Sequence, residues 1–392
     1  MATGSKPVRQ VADLALISIF LAMIFLPPVA ALLGIGPATS LTEKRAPIVR
    51  PPLTLDLPGL TFFHRNFEAY WNDTFGFRST LVRGYNRASM WLGVSPSAKV
   101  VVGTDGWLFV GEEYSAVEYY RATRPFTPEQ LVWWQRLLEG RHDWLAQHGI
   151  RYLLIVAPDK QSIYPEYMPA ALNRVGTVTR LDQLVAHLEQ HSDLQLLDLR
   201  GVLREAKAHE RPYERLDSHW NDLGAWIAYA EIAKRLGVWF PHMQPVPLSD
   251  FERTWPAGQG NDLAMLLSLS DVMPGERLTL VPRVPRRARL IPTDGTLPPG
   301  SVAMLVTETG DPALPRAVMF HDSFAQTLWP FLSEHFAHIA YSWQYNFDPG
   351  LIEREKPDVV LDEMVDRVLM ATLDPNPDEV TRVWAARRER RN

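Results

Sequence analysis

Residues Ala317–Leu332, AVMFHDSFAQTLWPFL, decide the fold. The first four are an unbroken apolar run of strand length, and Ala325–Leu332 has the spacing of a helix. Between them, Asp322 and Ser323 fall on the turn from strand into helix. A serine there has an exposed hydroxyl, and the free backbone N–H groups of the helix start can stabilise an oxyanion. The same two residues could equally act as a plain helix cap, a routine use of Asp and Ser.

Working outward, four more strand-length apolar runs occur: Tyr152–Pro158, Leu194–Leu199, His338–Trp343 and Asp358–Glu363. Helical patterns at 177–191, 200–209, 222–236 and 324–335 separate most of them. Strands alternating with helices predict an α/β fold with a mainly parallel sheet covered on both faces. Function in such folds collects at the carboxyl ends of the strands. Residues 238–300 break the alternation with a Pro-rich segment containing Arg283, Arg286, Arg287 and Arg289, and are read as an irregular insertion or lid. Upstream, KVVVGTDGWLFVG (Lys99–Gly111) has a hairpin pattern about Thr104-Asp105-Gly106. Thr127-Pro128-Glu129 starts a helix over 129–148, and residues 62–92 read as one or two amphipathic helices.

Near the start, Leu14–Gly36 carries no charge and is long enough to cross a bilayer as a helix. Lys6 and Arg9 precede it, which predicts a cytoplasmic N-terminus (1–13) with the rest of the chain outside. A cleaved signal peptide is the competing reading, and Pro27-Pro28 would kink a straight span. Residues 37–60 form a Pro-rich tether, 61–372 the soluble body and 373–392 a charged tail.

The 392 residues include 32 prolines and no cysteine, which excludes disulfides, thiolate metal sites and a thiol nucleophile. Forty basic against 45 acidic residues leave no field suited to nucleic acid. A serine nucleophile needs a base, and the base needs an orienting carboxylate. Leu216-Asp217-Ser218-His219-Trp220-Asn221 supplies both, with Asp217 and His219 on one side of an extended segment. A structural histidine, or a partial metal set of Asp217, His219 and Asp222, are the alternatives. There is no Gly-x-Ser-x-Gly elbow, Walker loop or His-Glu-x-x-His.

From about residue 62 to 368 the chain resembles the alginate O-acetyltransferase family, the AlgJ and AlgX relatives within the SGNH hydrolase-like superfamily. The resemblance is carried by FEAYWNDTFGFRSTL (Phe67–Leu81), VVGTDGWLF (Val101–Phe109), APDKQSIYPEYMP (Ala157–Pro169), LDSHWNDLGAW (Leu216–Trp226), GNDLAML (Gly260–Leu266), MFHDSF (Met319–Phe324) and KPDVVLDEMVDR (Lys356–Arg367). It implies an SGNH-type three-layer α/β/α sandwich and a Ser323–His219–Asp217 triad, in an order permuted from ordinary SGNH hydrolases. His321 stands where the family's Gly-Asp-Ser pattern has glycine, while the backbone N–H groups of Asp322 and Ser323 remain the expected oxyanion donors. The implied activity is acetyl transfer to hydroxyls of a secreted exopolysaccharide, alginate-like or cellulose-like, through an acetyl-serine. No cofactor and no metal are expected. The implied setting is the inner membrane, with the catalytic domain in the periplasm and a membrane-bound O-acyltransferase as acetyl donor.

Lys160, Tyr164 and Trp220 are expected substrate contacts. Trp343 and Tyr345 offer flat faces to sugar rings, and the Arg283–Arg289 cluster could guide an anionic chain. Two other readings remain open: a polysaccharide acetyl-esterase using the same triad, and a non-catalytic scaffold that binds polymer or assembles an export complex.

Overall fold

The computed structural model describes residues 6–33, 48–292, 304–371 and 379, in two compact units. Most of the charged tail and part of the tether lie outside the described residues, as do Gly34–Gly36 of the apolar segment.

The first unit comprises Met1–Pro96 with Met265–Leu269. Helix α1 (Lys6–Leu33) runs through Pro27 and Pro28, and its Gln10–Ala31 stretch is long and apolar enough to cross a membrane. Its apolar side chains, Leu14, Ile17, Phe20 and Met23 among them, are exposed, as a lipid-facing helix requires. Helix α2 (Leu57–Thr74) starts inside the expected tether because the Asp56 carboxylate accepts the Gly59 N–H at 2.7 Å, an N-cap ahead of Pro58 in the first turn. Helix α3 (Arg78–Trp91) follows, and Asn86 Nδ2 donates to the Leu267 carbonyl at 2.8 Å.

The second unit opens with the expected hairpin, β1 (Val100–Val102) against β2 (Leu108–Val110). After α4 (Ala116–Arg121), α5 (Pro128–Gln147) is nucleated by a reciprocal box of Thr127 and Gln130. Then come β3 (Arg151–Ala157), α6 (Lys160–Ile163), α7 (Arg180–His191), β4 (Leu196–Asp198), α8 (Arg200–Lys207) and α9 (Asp222–Gly237). Next are β5 (Phe251–Thr254), α10 (Asp262–Leu266), β6 (Thr279–Pro282), β7 (Arg289–Ile291), β8 (Met304–Glu308) and β9 (Arg316–His321). The chain continues through α11 (Trp329–Leu332), β10 (His338–Trp343), α12 (Pro349–Glu355) and β11 (Val359–Val365).

Seven strands form one sheet in the order β4-β3-β11-β9-β10-β8-β7. The first five are parallel, and β8 runs antiparallel to both β10 and β7. Alternate residues of each strand enter opposite cores. Leu153, Ile155, Met319 and Tyr341 pack with α9, while Leu154, Val156, Phe320 and Ala340 pack with α5, α7 and α12. That is the expected three-layer α/β/α sandwich, and covering both faces explains why the parallel strands read as continuous apolar runs.

Two expectations give way. Residues 238–300 are not wholly irregular: they contain α10, the ribbon β5–β6 and the sheet strand β7. The pattern at 324–335 is no single helix but a 3-10 turn (Ser323–Thr327), the short α11 and a second 3-10 turn. Pro330 lacks an N–H and fits only a first turn, so α11 restarts at Trp329.

Candidate active site

Strand β9 ends at His321, and the backbone then turns so that Ser323 opens a 3-10 turn at the carboxyl edge of the sheet. Asp322 holds this turn. One of its carboxylate oxygens accepts the Phe324 N–H at 2.8 Å, and the other accepts the Val365 N–H at 2.8 Å and the Tyr345 hydroxyl at 3.0 Å. The Asp322 N–H donates to the Glu363 carboxyl at 3.1 Å, on the neighbouring strand β11. Burial and the Asp322 charge push the Glu363 pKa well above the ordinary carboxylate range. His321 is buried. Its Nδ1 donates to the Asp322 carbonyl at 2.7 Å, and its ring packs on Trp329, Tyr341 and Trp343.

The Leu216–Asn221 segment meets this turn from the other side. It bends where an extended run was expected, because Asp217 Oδ1 accepts the His219 backbone N–H at 3.0 Å. That same oxygen lies 2.9 Å from His219 Nδ1, and His219 Nε2 lies 2.8 Å from Ser323 Oγ. Serine, imidazole and carboxylate therefore stand in a continuous hydrogen-bonded line, 104 residues apart in sequence between His219 and Ser323. Burial would lower the His219 pKa. The hydrogen bond and charge of Asp217, with the charges of Asp262 and Asp322, outweigh burial and raise it above the usual imidazole value. For Asp217 burial acts upward, but the His219 hydrogen bond and charge and the Lys160 ammonium hold it well below the usual carboxylate range.

A residue that sequence reasoning left without a role completes the site. Asp262, at the start of α10, accepts the Ser218 N–H at 2.7 Å and the Ser218 hydroxyl at 2.6 Å, and its Oδ2 lies 3.6 Å from His219 Nδ1. Its own N–H donates to Asp217 at 3.3 Å. The only sequence sign of it was an acidic residue opening the short GNDLAML helix.

Several expected contacts sit elsewhere. Lys160 is fully buried and donates to the carbonyls of Glu214 at 3.0 Å, Arg215 at 3.1 Å and Asp217, so its ammonium is spent on clamping the loop that carries Asp217 and His219. Trp220 is buried, and its indole N–H donates to the Phe324 carbonyl and the Thr327 hydroxyl. It pins the histidine loop to the serine turn and offers no face to a sugar. Tyr164 is buried against Trp107 at 4.4 Å. The Asp322 N–H is engaged by Glu363 and drops out as an oxyanion donor, leaving that of Ser323. Tyr345 spends its hydroxyl on Asp322, whereas Trp343 is exposed. Asp222 is paired with Arg277 at 2.9 Å and is no ligand partner of His219. Within the Arg283–Arg289 cluster, Arg287 faces Glu334.

Asp217, His219 and Asp262 bring one nitrogen and two carboxylates close enough to hold a cation. Their facing atoms are already hydrogen-bonded: Asp217 to His219 and Asp262, and both Asp262 oxygens to Ser218. The donors fit an oriented histidine better than a metal.

The family model described as SGNH hydrolase-like domain, acetyltransferase AlgX, matches residues 100–301, which include Asp217, His219 and Asp262 and stop short of Ser323. Probable alginate O-acetylase AlgJ of Pseudomonas aeruginosa is 32% identical over 158 residues, 39% of this chain and 36% of that protein. Its namesake in Azotobacter vinelandii is 30% identical over 146 residues, 36% and 34% of the two chains. The chain thus spans about a third of the length of these relatives. Among solved structures, the O-acetyltransferase domain of Pseudomonas putida AlgJ aligns over 73% of this chain and 99% of its own, at 19% identity and TM-score 0.45. PatB1 of Bacillus cereus aligns over 69% and 96%, at 14% and 0.48.

Proposed function

Since the chain belongs to the AlgX family of SGNH hydrolase-like acetyltransferase domains, we propose that it moves acetyl groups onto hydroxyls of a secreted, alginate-like polysaccharide through an acetyl-serine at Ser323. The line from Ser323 Oγ through His219 to Asp217 carries this reading. His219 takes the serine proton as Oγ attacks the donor carbonyl, and Asp217 holds Nδ1–H and stabilises the imidazolium. The Ser323 N–H is the remaining backbone donor proposed for the developing oxyanion. As the tetrahedral intermediate collapses, the donor's leaving group departs with the proton held by His219, leaving acetyl-serine and neutral imidazole. In the second step His219 takes the proton of a sugar hydroxyl as that oxygen attacks the acetyl-serine, and returns it to the departing Ser323 Oγ. A bound acceptor competes with water through effective molarity, ~10⁵ M or more for a well-oriented group.

The names of the curated relatives point the acceptor to alginate. Helix α1, with Lys6 and Arg9 in it ahead of the apolar stretch, supports a single membrane span with the active site on the far side. A membrane-bound O-acyltransferase would supply acetyl there.

The test is incubation with an acetyl ester and an acidic oligosaccharide. Acetylated Ser323 and acetylated oligosaccharide in mass spectra, both absent from Ser323→Ala, are expected. Free acetate alone would make the protein an esterase, and full sugar acetylation by Ser323→Ala would end the triad reading.

A further inference from the structure

A concavity lined by α6, α8 and the start of α7 has no part in the chemistry above. It has a volume of about 530 Å³, within the range of ligand pockets, ~300–1,000 Å³. Four cations line it, Arg174, Arg200, Arg204 and Lys207, against the single carboxylate of Asp182. Arg200 is committed to Asp198 and Asp182, both at 2.7 Å, and Lys207 to Glu166 at 2.7 Å. Arg204 donates only to the Ser162 carbonyl, and Arg174 to the Thr177 carbonyl. Among the described residues neither guanidinium meets a carboxylate, so two exposed forks stand ready for an anion.

A second observation narrows the ligand. Gln161 lines the same space and is 1% exposed. Its Nε2 donates to the Val110 carbonyl at 3.0 Å, yet its buried Oε1 has no hydrogen-bond partner. A buried acceptor left unpaired costs ~1–3 kcal/mol, so the site calls for a donor as well as an anion. A bare carboxylate supplies no donor, and a neutral sugar supplies no charge. A sugar acid supplies both: its carboxylate for Arg174 and Arg204, a ring hydroxyl for Gln161.

We propose that this cavity is a binding subsite for an acidic sugar residue of the polymer, separate from Ser323. The proposal rests on the acetyl-transfer reading only for the choice of ligand. Helix α6 joins the two places, since Lys160 holds the triad loop and the next residue, Gln161, faces the cavity.

The experiment is calorimetric titration of the full-length Ser323→Ala chain in detergent with a mannuronate hexasaccharide, cellohexaose and inorganic phosphate. Turnover is absent, so a failure of the triad reading leaves this binding unaffected. Expected are binding of the acidic hexasaccharide that weakens with added salt, and at least about tenfold weaker binding by Arg174→Gln/Arg204→Gln at unchanged melting temperature. Gln161→Glu, which keeps the side chain's shape, is expected to weaken it likewise. Equal affinity in the double variant, or cellohexaose binding as tightly, would overturn the proposal. Equal displacement by inorganic phosphate would also overturn it, in favour of a small-anion site.

Discussion

Two carboxylates converge on His219 Nδ1, and under the proposed acetyl transfer they set the pH at which Ser323 can lose its proton. The base must be neutral imidazole, and its pKa is raised in the fold. Activity toward a small acetyl ester is therefore expected to fall as pH drops through a midpoint above the ordinary 6.5. Asp217→Asn removes the main upward influence, so the pH–rate midpoint should move down while kcat falls by ~10⁴. A midpoint unmoved in that variant would detach Asp217 from the histidine. Asp262→Asn is expected to cost less, about tenfold, with a smaller downward shift, because it acts chiefly through Ser218. Ser323, His219 and Asp217 were legible in sequence because a nucleophile and an Asp-x-His pair are local patterns. Asp262 was not, since its partner Ser218 lies 44 residues away and only the fold joins them.

At the scale of elements, the parallel strands announced themselves through continuous apolar runs, while β7 and β8 lie toward one edge with half-exposed, mixed sequences and did not. Lys160 was misread for a related reason: a lysine in a loop after a strand suggests surface, and only the assembled sheet shows three backbone carbonyls waiting for its ammonium. Burial lowers its pKa from 10.5 to about 7, against the raising charges of Asp217, Asp262 and Glu214. Between those two pH values the unfolded chain binds more protons than the folded one, so stability rises with pH across that window. Lys160→Met should flatten that part of the stability–pH curve in urea titrations. It leaves three carbonyls without their donor, so it should also lose ~1–3 kcal/mol and loosen the triad loop, lowering kcat more than it changes KM. A wild-type slope retained in Lys160→Met would place the titration on another group. Gly224 belongs to the same scale: a Cβ there would lie 2.4 Å from the Pro212 carbonyl, which explains glycine inside the first turn of α9 just behind the Asp-x-His loop.

At the scale of the whole molecule, the proposed function gives α1 a role: holding the domain where a secreted polymer emerges. From Leu14 to Ala31 the helix carries no charge, and Ile17, Phe20, Met23 and Ile24 are exposed. Water could not host such a surface without association, whereas hydrocarbon covers it. Under the proposed function, a membrane-held domain would meet its donor and its emerging polymer in two dimensions, raising the effective concentration of both without any change at Ser323. The full chain is accordingly expected to stay with membranes through carbonate extraction. Arginine at the middle of the span costs ~2.5–3.5 kcal/mol per residue, so Ile17→Arg/Phe20→Arg should release the protein or block its insertion. The same variant, purified in detergent, should keep its hydrolysis of a small ester, because no residue of the triad lies in that helix. Polymer acetylation in cells should fall with the loss of anchoring. If acetylation persisted at the parental level with the variant fully soluble, α1 would serve export alone and the two-dimensional encounter would have no part in the reaction.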